Sequence, residues 1–221
     1  MHEFLANYGQ LLLDGTIATL IMVFVSTFCA YLLGIPVGVL LVITSSGSLR
    51  PNRTLNAILG WIVNVGRSMP FVILMVAVIP FSRFVMGTSL GTKGIIVPLT
   101  IAAFPFIARM IENSLKEVSS GVLEAAQSCG ASTFQVIWKV LLREGLPSIA
   151  RNVPVVIITL IGYSAIGGAL GAGGLGDIAV RYGYMRYETN VMIATIVILI
   201  VLIQIIQSVG DFLARKIDKR A

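Results

Sequence analysis

The chain has 221 residues, of which 57% are hydrophobic and 12% charged, with a mean hydropathy of +0.94; soluble domains carry about a quarter charged residues. This composition excludes an ordinary soluble domain and describes an all-α integral membrane protein. The formal charge of +6 raises nucleic acid as a partner, but the basic residues fall between the apolar runs and after the last one. They form no aromatic-studded basic patch, so nucleic acid is excluded too.

The first fifteen residues hold Glu3 and Asp14 but no Lys or Arg, and the apolar run after them is too long for a signal peptide. A retained first span is therefore expected over residues 16–43, since about twenty apolar residues cross a bilayer. Gly34 and Gly38 in it form a G-x-x-x-G around Pro36, which allows close helix packing and a kink. Cys29 lies in this span and Cys129 in a later loop, so neither a disulfide nor a thiol metal pair is indicated.

A polar turn with Gly47, Pro51, Arg50 and Arg53 leads to a second span over 57–81, interrupted at Gly66-Arg67-Ser68-Met69-Pro70. An arginine this far into a span costs on the order of a few kcal/mol unless paired, wetted or snorkelling. Arg67 therefore either faces the bundle interior beside a broken helix or snorkels to the headgroups. A loop with Arg83, Gly87, Gly91 and Lys93 precedes a third span over 94–111, which contains Pro98 and Pro105. Arg109 and Glu112 stand three apart and are placed to pair at its end.

Residues 116–147 form the one long segment between apolar runs that still reads as helical. Ser120 is a candidate cap for a short helix through Glu124, Ala125 and Ala126, and Gly130 breaks it. Ser132 and Gln135 have the form of a capping box, so a second helix should start there with Phe134, Ile137, Val140 and Leu141 on one face. Gly145 and Pro147 are expected to stop it. A helix pair lying in the headgroup plane would want a richly basic polar face. Glu124 and Glu144 dilute that face, which favours docking to a protein.

The fourth span covers 149–167, with Pro154 inside it, and runs into the glycine-rich stretch Gly167 to Asp177. No strand precedes that stretch and no Lys-Ser or Lys-Thr comes after it, so it is not a phosphate-binding P-loop. An irregular external loop, closely packed through small residues, is expected instead. Arg181, Tyr182, Tyr184, Arg186 and Tyr187 then make a cluster suited to a membrane interface. The fifth span covers 189–209, and Arg215, Lys216, Lys219 and Arg220 form a basic tail. With five spans, twelve of the sixteen Lys and Arg fall on the side of the 116–147 loop and the tail. The positive-inside tendency then puts the amino terminus outside and the carboxyl terminus and loop in the cytoplasm.

Nothing in the chain reads as catalytic. The single histidine is His2, and no metal-ligand spacing, paired intramembrane carboxylates or proton-relay chain occurs in the sequence.

Glu124-Ala125-Ala126, Gly130 and the closing Leu146-Pro147 resemble the EAA loop of the membrane-spanning subunits of bacterial ABC importers. The resemblance implies that Glu124, Ala125, Ala126, Gly130, Ala131, Leu146 and Pro147 belong to a coupling helix seated on a cytoplasmic ATPase subunit. Gly66-Arg67-Ser68-Met69-Pro70-Phe71, Gly162-Tyr163-Ser164-Ala165-Ile166-Gly167-Gly168-Ala169 and Arg181-Tyr182-Gly183-Tyr184 further resemble the permeases of methionine importers, over nearly the whole chain. That implies five transmembrane helices per subunit in a type I importer permease-like bundle, and a homodimer in the bacterial inner membrane. It also implies two ATPase subunits that bind ATP and Mg2+, no cofactor on this chain, an external substrate-binding lipoprotein and methionine as the substrate. Arg67, Met69, Pro70, Phe71, Tyr163, Ser164, Gly167 and Gly168 are candidates for the translocation path or gate, with plain bundle packing as the other reading. A permease for another amino acid or a small osmolyte, and a secondary transporter, stay open as alternatives.

Overall fold

The computed structural model describes residues 2–218, apart from the side chains of residues 2, 3 and 5. Lys219 and Arg220 of the basic tail, and the His2 side chain, lie outside that description. No strand occurs among the described residues. The elements are α1 (His2–Ile43), α2 (Arg53–Ser68), α3 (Phe71–Ala77), α4 (Ile79–Met86), α5 (Gly91–Lys116), α6 (Ser120–Ser128), α7 (Thr133–Gln135), α8 (Leu142–Gly167), α9 (Gly174–Ile178) and α10 (Thr189–Ile217). Wide π-helical turns at Val136–Leu141 and Ala179–Tyr184 and a kinked turn at Gly168–Ala172 connect several of them.

Among the described residues, four helical stretches are long and apolar enough to cross a membrane: Ala6–Ile43, Gly91–Lys116, Thr133–Ala172 and Thr189–Ile217. A fifth crossing arises if α2 and α3, bent by 104° at their junction, count as one broken span. The break has a local cause. Pro70 has no N–H to continue α2, and its extended ψ of 132° restarts the chain at Phe71. The stretch expected as the second span, 57–81, thus falls within three helices, α2 to α4, where the sequence suggested one interrupted run. The first span also differs from its expected start at residue 16, because the polar residues before it continue α1 without a break.

The chain divides into two compact units, to which α1, α5, α8 and α10 each contribute. The first comprises Met1–Cys29, Met69–Ala103 and Val156–Ser208. In it Leu12, Ile178 and Val191 form a buried cluster covered by Tyr8, Leu11, Tyr182 and Ile198. Ser26 donates to the Ile96 carbonyl at 3.2 Å and ties α1 to α5.

The second unit comprises Ala30–Ser68, Phe104–Val155 and Val209–Ala221. Here the Gly34 and Gly38 surface of α1 lies on α5: a Cβ on Gly34 would come within 2.6 Å of Ile107, and one on Gly38 within 2.7 Å of Ile111 and of the Ala108 carbonyl. Close backbone approach of this kind is how membrane helices gain packing without a hydrophobic drive between them. The C-terminal carbonyls of α1 are satisfied from the next turn and from α2. Arg50 N–H bonds the Ile43 carbonyl at 2.9 Å, and the Asn56 amide bonds that of Leu41 at 2.7 Å.

The outer surface is apolar where a soluble protein would be polar. Phe28, Leu32, Ile193, Ile200 and Val201 are exposed, and only 11% of the apolar window of α10 is buried. Such faces are made for lipid or for another helix, not water.

Candidate functional site

The 116–147 loop is built from two local motifs. Helix α6 has no buried residue; Glu124 and Ala125 are exposed and Ala126 is half-buried. Its end is a Schellman motif. Gly130, at φ +80°, sends its N–H to the Gln127 carbonyl at 2.9 Å, and Ala131 sends its own to the Ala126 carbonyl at 3.2 Å. The spacing Glu-Ala-Ala-x-x-x-Gly-Ala is thus the geometry of the turn itself, with Ala126 supplying one acceptor and Ala131 the matching donor. Glycine is required at position 130 by conformation alone, since a Cβ there would meet nothing within 4 Å.

The second motif is the capping box. Ser132 N–H donates to Gln135 Oε1 at 2.8 Å, and Gln135 N–H donates back to Ser132 Oγ at 3.3 Å. The first helix differs from expectation: its N-cap is Ser119, one residue before Ser120, and no side chain caps it.

The helix that begins at Thr133 does not end at Gly145 or Pro147. It continues through the π turn and α8 to Gly167, and the backbone kinks at Leu170 and Gly171 beyond it. Gly145 is there for contact, because a Cβ on it would lie 2.6 Å from Leu115 Cδ2. Pro147 is buried in the first turns of α8, where the missing N–H forgoes one bond without stopping the helix, and Leu146 is exposed. The expected apolar face also shifts. Val136 and Leu141 are buried, whereas Phe134 is 72% exposed and stacks at 6.5 Å on Trp138. The π turn adds a residue per turn and rotates the residues beyond it out of the 3.6-residue register.

The base of the loop is clamped. Ser114, buried in α5, is the centre of bonds from Ser148 at 3.1 Å and Asn152 at 3.0 Å, both on α8. Two residues before Ser114, Glu112 is only 4% exposed. It accepts from Arg109 and, at 2.7 Å, from Lys116, while Arg109 also donates to Asn64 of α2 at 2.8 Å. The Arg109–Glu112 pair is legible from spacing. Lys116 at i+4 is legible by the same rule, but Asn64 and the Ser114 cluster depend on which helices meet.

Of the candidate path residues, Arg67 is exposed in the last turn of α2, where a cation favours the carbonyl end of the helix. Met69 and Pro70 are exposed at the break. Phe71 is buried and stacks on the half-buried Tyr163 at 4.6 Å, nearly parallel. Ser164 is buried and donates to the Ile161 carbonyl at 2.8 Å. Gly167 and Gly168 are buried too, and a Cβ would come within 1.9 Å of Ile95 on the first and 2.4 Å of the Asp177 nitrogen on the second. Phe71 and Tyr163 are therefore brought together, while Ser164, Gly167 and Gly168 serve close packing. The cavity beside them, lined by Met75, Gly167 and Leu170, measures about 50 Å3, room for water only.

The glycine-rich stretch is irregular only at its exposed tip, where Leu170 and Gly171 leave helical geometry; the rest is helical and packed. It folds as a kinked turn over Gly168–Ala172, then α9 and a π turn, with Gly174, Leu175, Gly176 and Ile178 buried. Leu175 N–H bonds Thr19 Oγ1 at 2.9 Å, and Gly176 lies against Ala165. Small residues let backbone meet backbone there, and the freed groups find partners inside the protein.

These features define a multi-span, all-helical permease of the type I importer fold. A chain of the inward-facing MetNI methionine ABC transporter structures superimposes with a TM-score of 0.94 at 46% identity, covering 96% of this chain and 99% of that one. An amino acid ABC transporter at 20% identity has a TM-score of 0.78 and shows the fold alone. The chain belongs to the family of binding-protein-dependent transport system inner membrane components, whose profile matches residues 34–220. It is 51% identical over 99% of its length, and 97% of the relative's, to a probable D-methionine transport system permease protein MetI of Vibrio cholerae serotype O1. It is 49% identical to the D-methionine permease MetI of Escherichia coli K12 over 72% of this chain and 73% of that one.

Proposed function

We propose that this chain is the membrane permease of an ATP-driven methionine importer, forming the passage for methionine delivered by an external binding protein. The observation that carries the reading is the 51% identity along essentially the full length to a permease named for D-methionine transport. Two copies form the passage, and each seats its 116–147 loop on an ATPase subunit, where ATP and Mg2+ are bound. The amino terminus faces outward and the loop faces the cytoplasm, in keeping with the side that carries twelve of the sixteen basic residues.

The exposed Glu124, Ala125 and Ala126 face of α6 is the docking surface, and the Gly130 turn sets its angle to the next helix. That helix is continuous into α8, so closure of the ATPase dimer moves a span and not just a loop. The Ser114 clamp holds the loop's two stems, α5 and α8, together during that motion, and the Arg109–Asn64 bond ties the first stem to α2. Phe71 and Tyr163 line the passage.

The test is uptake of labelled methionine into liposomes that hold this chain with its ATPase and binding protein. Uptake that needs ATP and the binding protein, and that falls in Glu124→Ala, is expected. Stimulated ATP hydrolysis without methionine uptake would retain the permease and overturn the substrate. Competition between D- and L-methionine then reads the stereoselectivity.

A further inference from the structure

A charged cleft of about 360 Å3 lies between α8 and the end of α10, lined by Arg151, Asp211, Ala214, Arg215 and Asp218. The way the two helices meet explains it. A Cβ on Gly210 would come within 2.0 Å of Pro154 Cγ, so the backbones touch at that level. The helices run in opposite directions, and on the side of Arg151 and Asp218 they part. Arg151 and Asp218 approach only to 3.7 Å across the gap, and the Arg151 side chain is 58% exposed.

The depth of the cleft is set by the apolar length of α10. About twenty residues from Thr189 cross the hydrocarbon, which places Asp211 and the residues after it among the headgroups. On the membrane side of the cleft, Val155 and Val209 are exposed and apolar. Two guanidinium groups and two carboxylates therefore surround a headgroup-sized space, with exposed apolar side chains within about a helical turn of it.

We infer that this cleft binds a phospholipid with a primary-amine headgroup, its phosphodiester taken by Arg151 and Arg215 and its ammonium facing Asp211 and Asp218. Guanidinium groups bind phosphate oxygens through paired, charge-assisted hydrogen bonds. Phosphatidylglycerol offers no cation to the carboxylates. Phosphatidylcholine offers one with no N–H to donate.

Native mass spectrometry of the full chain in its assembled complex, delipidated in mild detergent and titrated with defined lipids, tests this. Phosphatidylethanolamine should be retained in preference to phosphatidylglycerol and phosphatidylcholine. Arg215→Gln should lower its retention about five- to tenfold, the loss of one charge-assisted contact, and Arg151→Gln should do the same. Both arginines are exposed, so the variants should keep the fold, which a thermal melt checks. Wild-type retention in both variants, or equal binding of phosphatidylcholine, overturns the site. Competition by chain-free glycerophosphoethanolamine as effective as that of the intact lipid would overturn the lipid as its source.

Discussion

The turn at Gly130 and the hairpin from Gly167 to Asp177 both depend on glycine, for opposite reasons. Gly130 has φ +80° and open space around it, whereas Gly168 and Gly176 have room for no side chain at all: a Cβ on Gly176 would lie 2.4 Å from the Ala165 carbonyl oxygen. In the exposed loop glycine sets a direction. In the buried hairpin it sets a distance. A surface that must present itself to a partner needs a defined angle with little packing, while a turn buried inside the protein needs backbone against backbone.

Substitutions should separate the two roles. The largest effect is expected for Gly176→Leu, which drives a side chain into the backbone of α8. Overpacking of that kind costs about 3 kcal/mol or more, read as loss of folded protein in detergent by size-exclusion chromatography. Glu112→Gln sharpens the contrast at the base of the loop. It leaves Arg109 and Lys116 sharing an uncharged amide and should cost about 2 kcal/mol, the range for hydrogen bonds to charged groups, read as a lowered melting temperature.

Gly130→Ala puts a Cβ into a left-handed turn at about 1–2 kcal/mol. The chain should remain folded while methionine uptake per ATP falls, because the strain acts on the angle and not on the core. If Gly130→Ala unfolds the chain while Gly176→Leu leaves it intact, the assignment of the two roles is reversed. The smallest effect is expected for Ser132→Ala, which removes the capping acceptor at about 1 kcal/mol. Hydrogen exchange should rise at Gln135 with little change at Gln127.

How far the sequence can be read differs between the same two regions. The coupling loop is legible because its determinants are local. The capping box and the Schellman turn need only residues within a few positions of one another, and Ser132, Gln135 and Gly130 all sit where the pattern puts them. Ser119 displaces Ser120 as the cap by one position, and Val136 takes the buried face in place of Phe134. Both are small departures that a 3.6-residue pattern cannot register. The hairpin reads as an irregular loop in sequence because its glycines have meaning only beside their partners. Gly15, Thr19 and Met22 of α1 meet Gly174 and Ile178 across more than 150 positions of sequence.

The chain's apolar runs and the cations between them determine by themselves that this is a helical membrane protein, because hydrophobic length and charge act on each segment separately. The EAA spacing likewise determines the loop. The continuation of α8 through Gly145 and Pro147, the Arg109–Asn64 bond, the Ser114 clamp and the buried glycine turn are decided by tertiary structure alone. At each of these places a residue that stops a helix or costs energy in isolation is held by its neighbours: Leu115 covers Gly145, Ser148 and Asn152 bond the buried Ser114, and Thr19 satisfies Leu175. No window of sequence contains both members of such a contact when one of them lies on another helix.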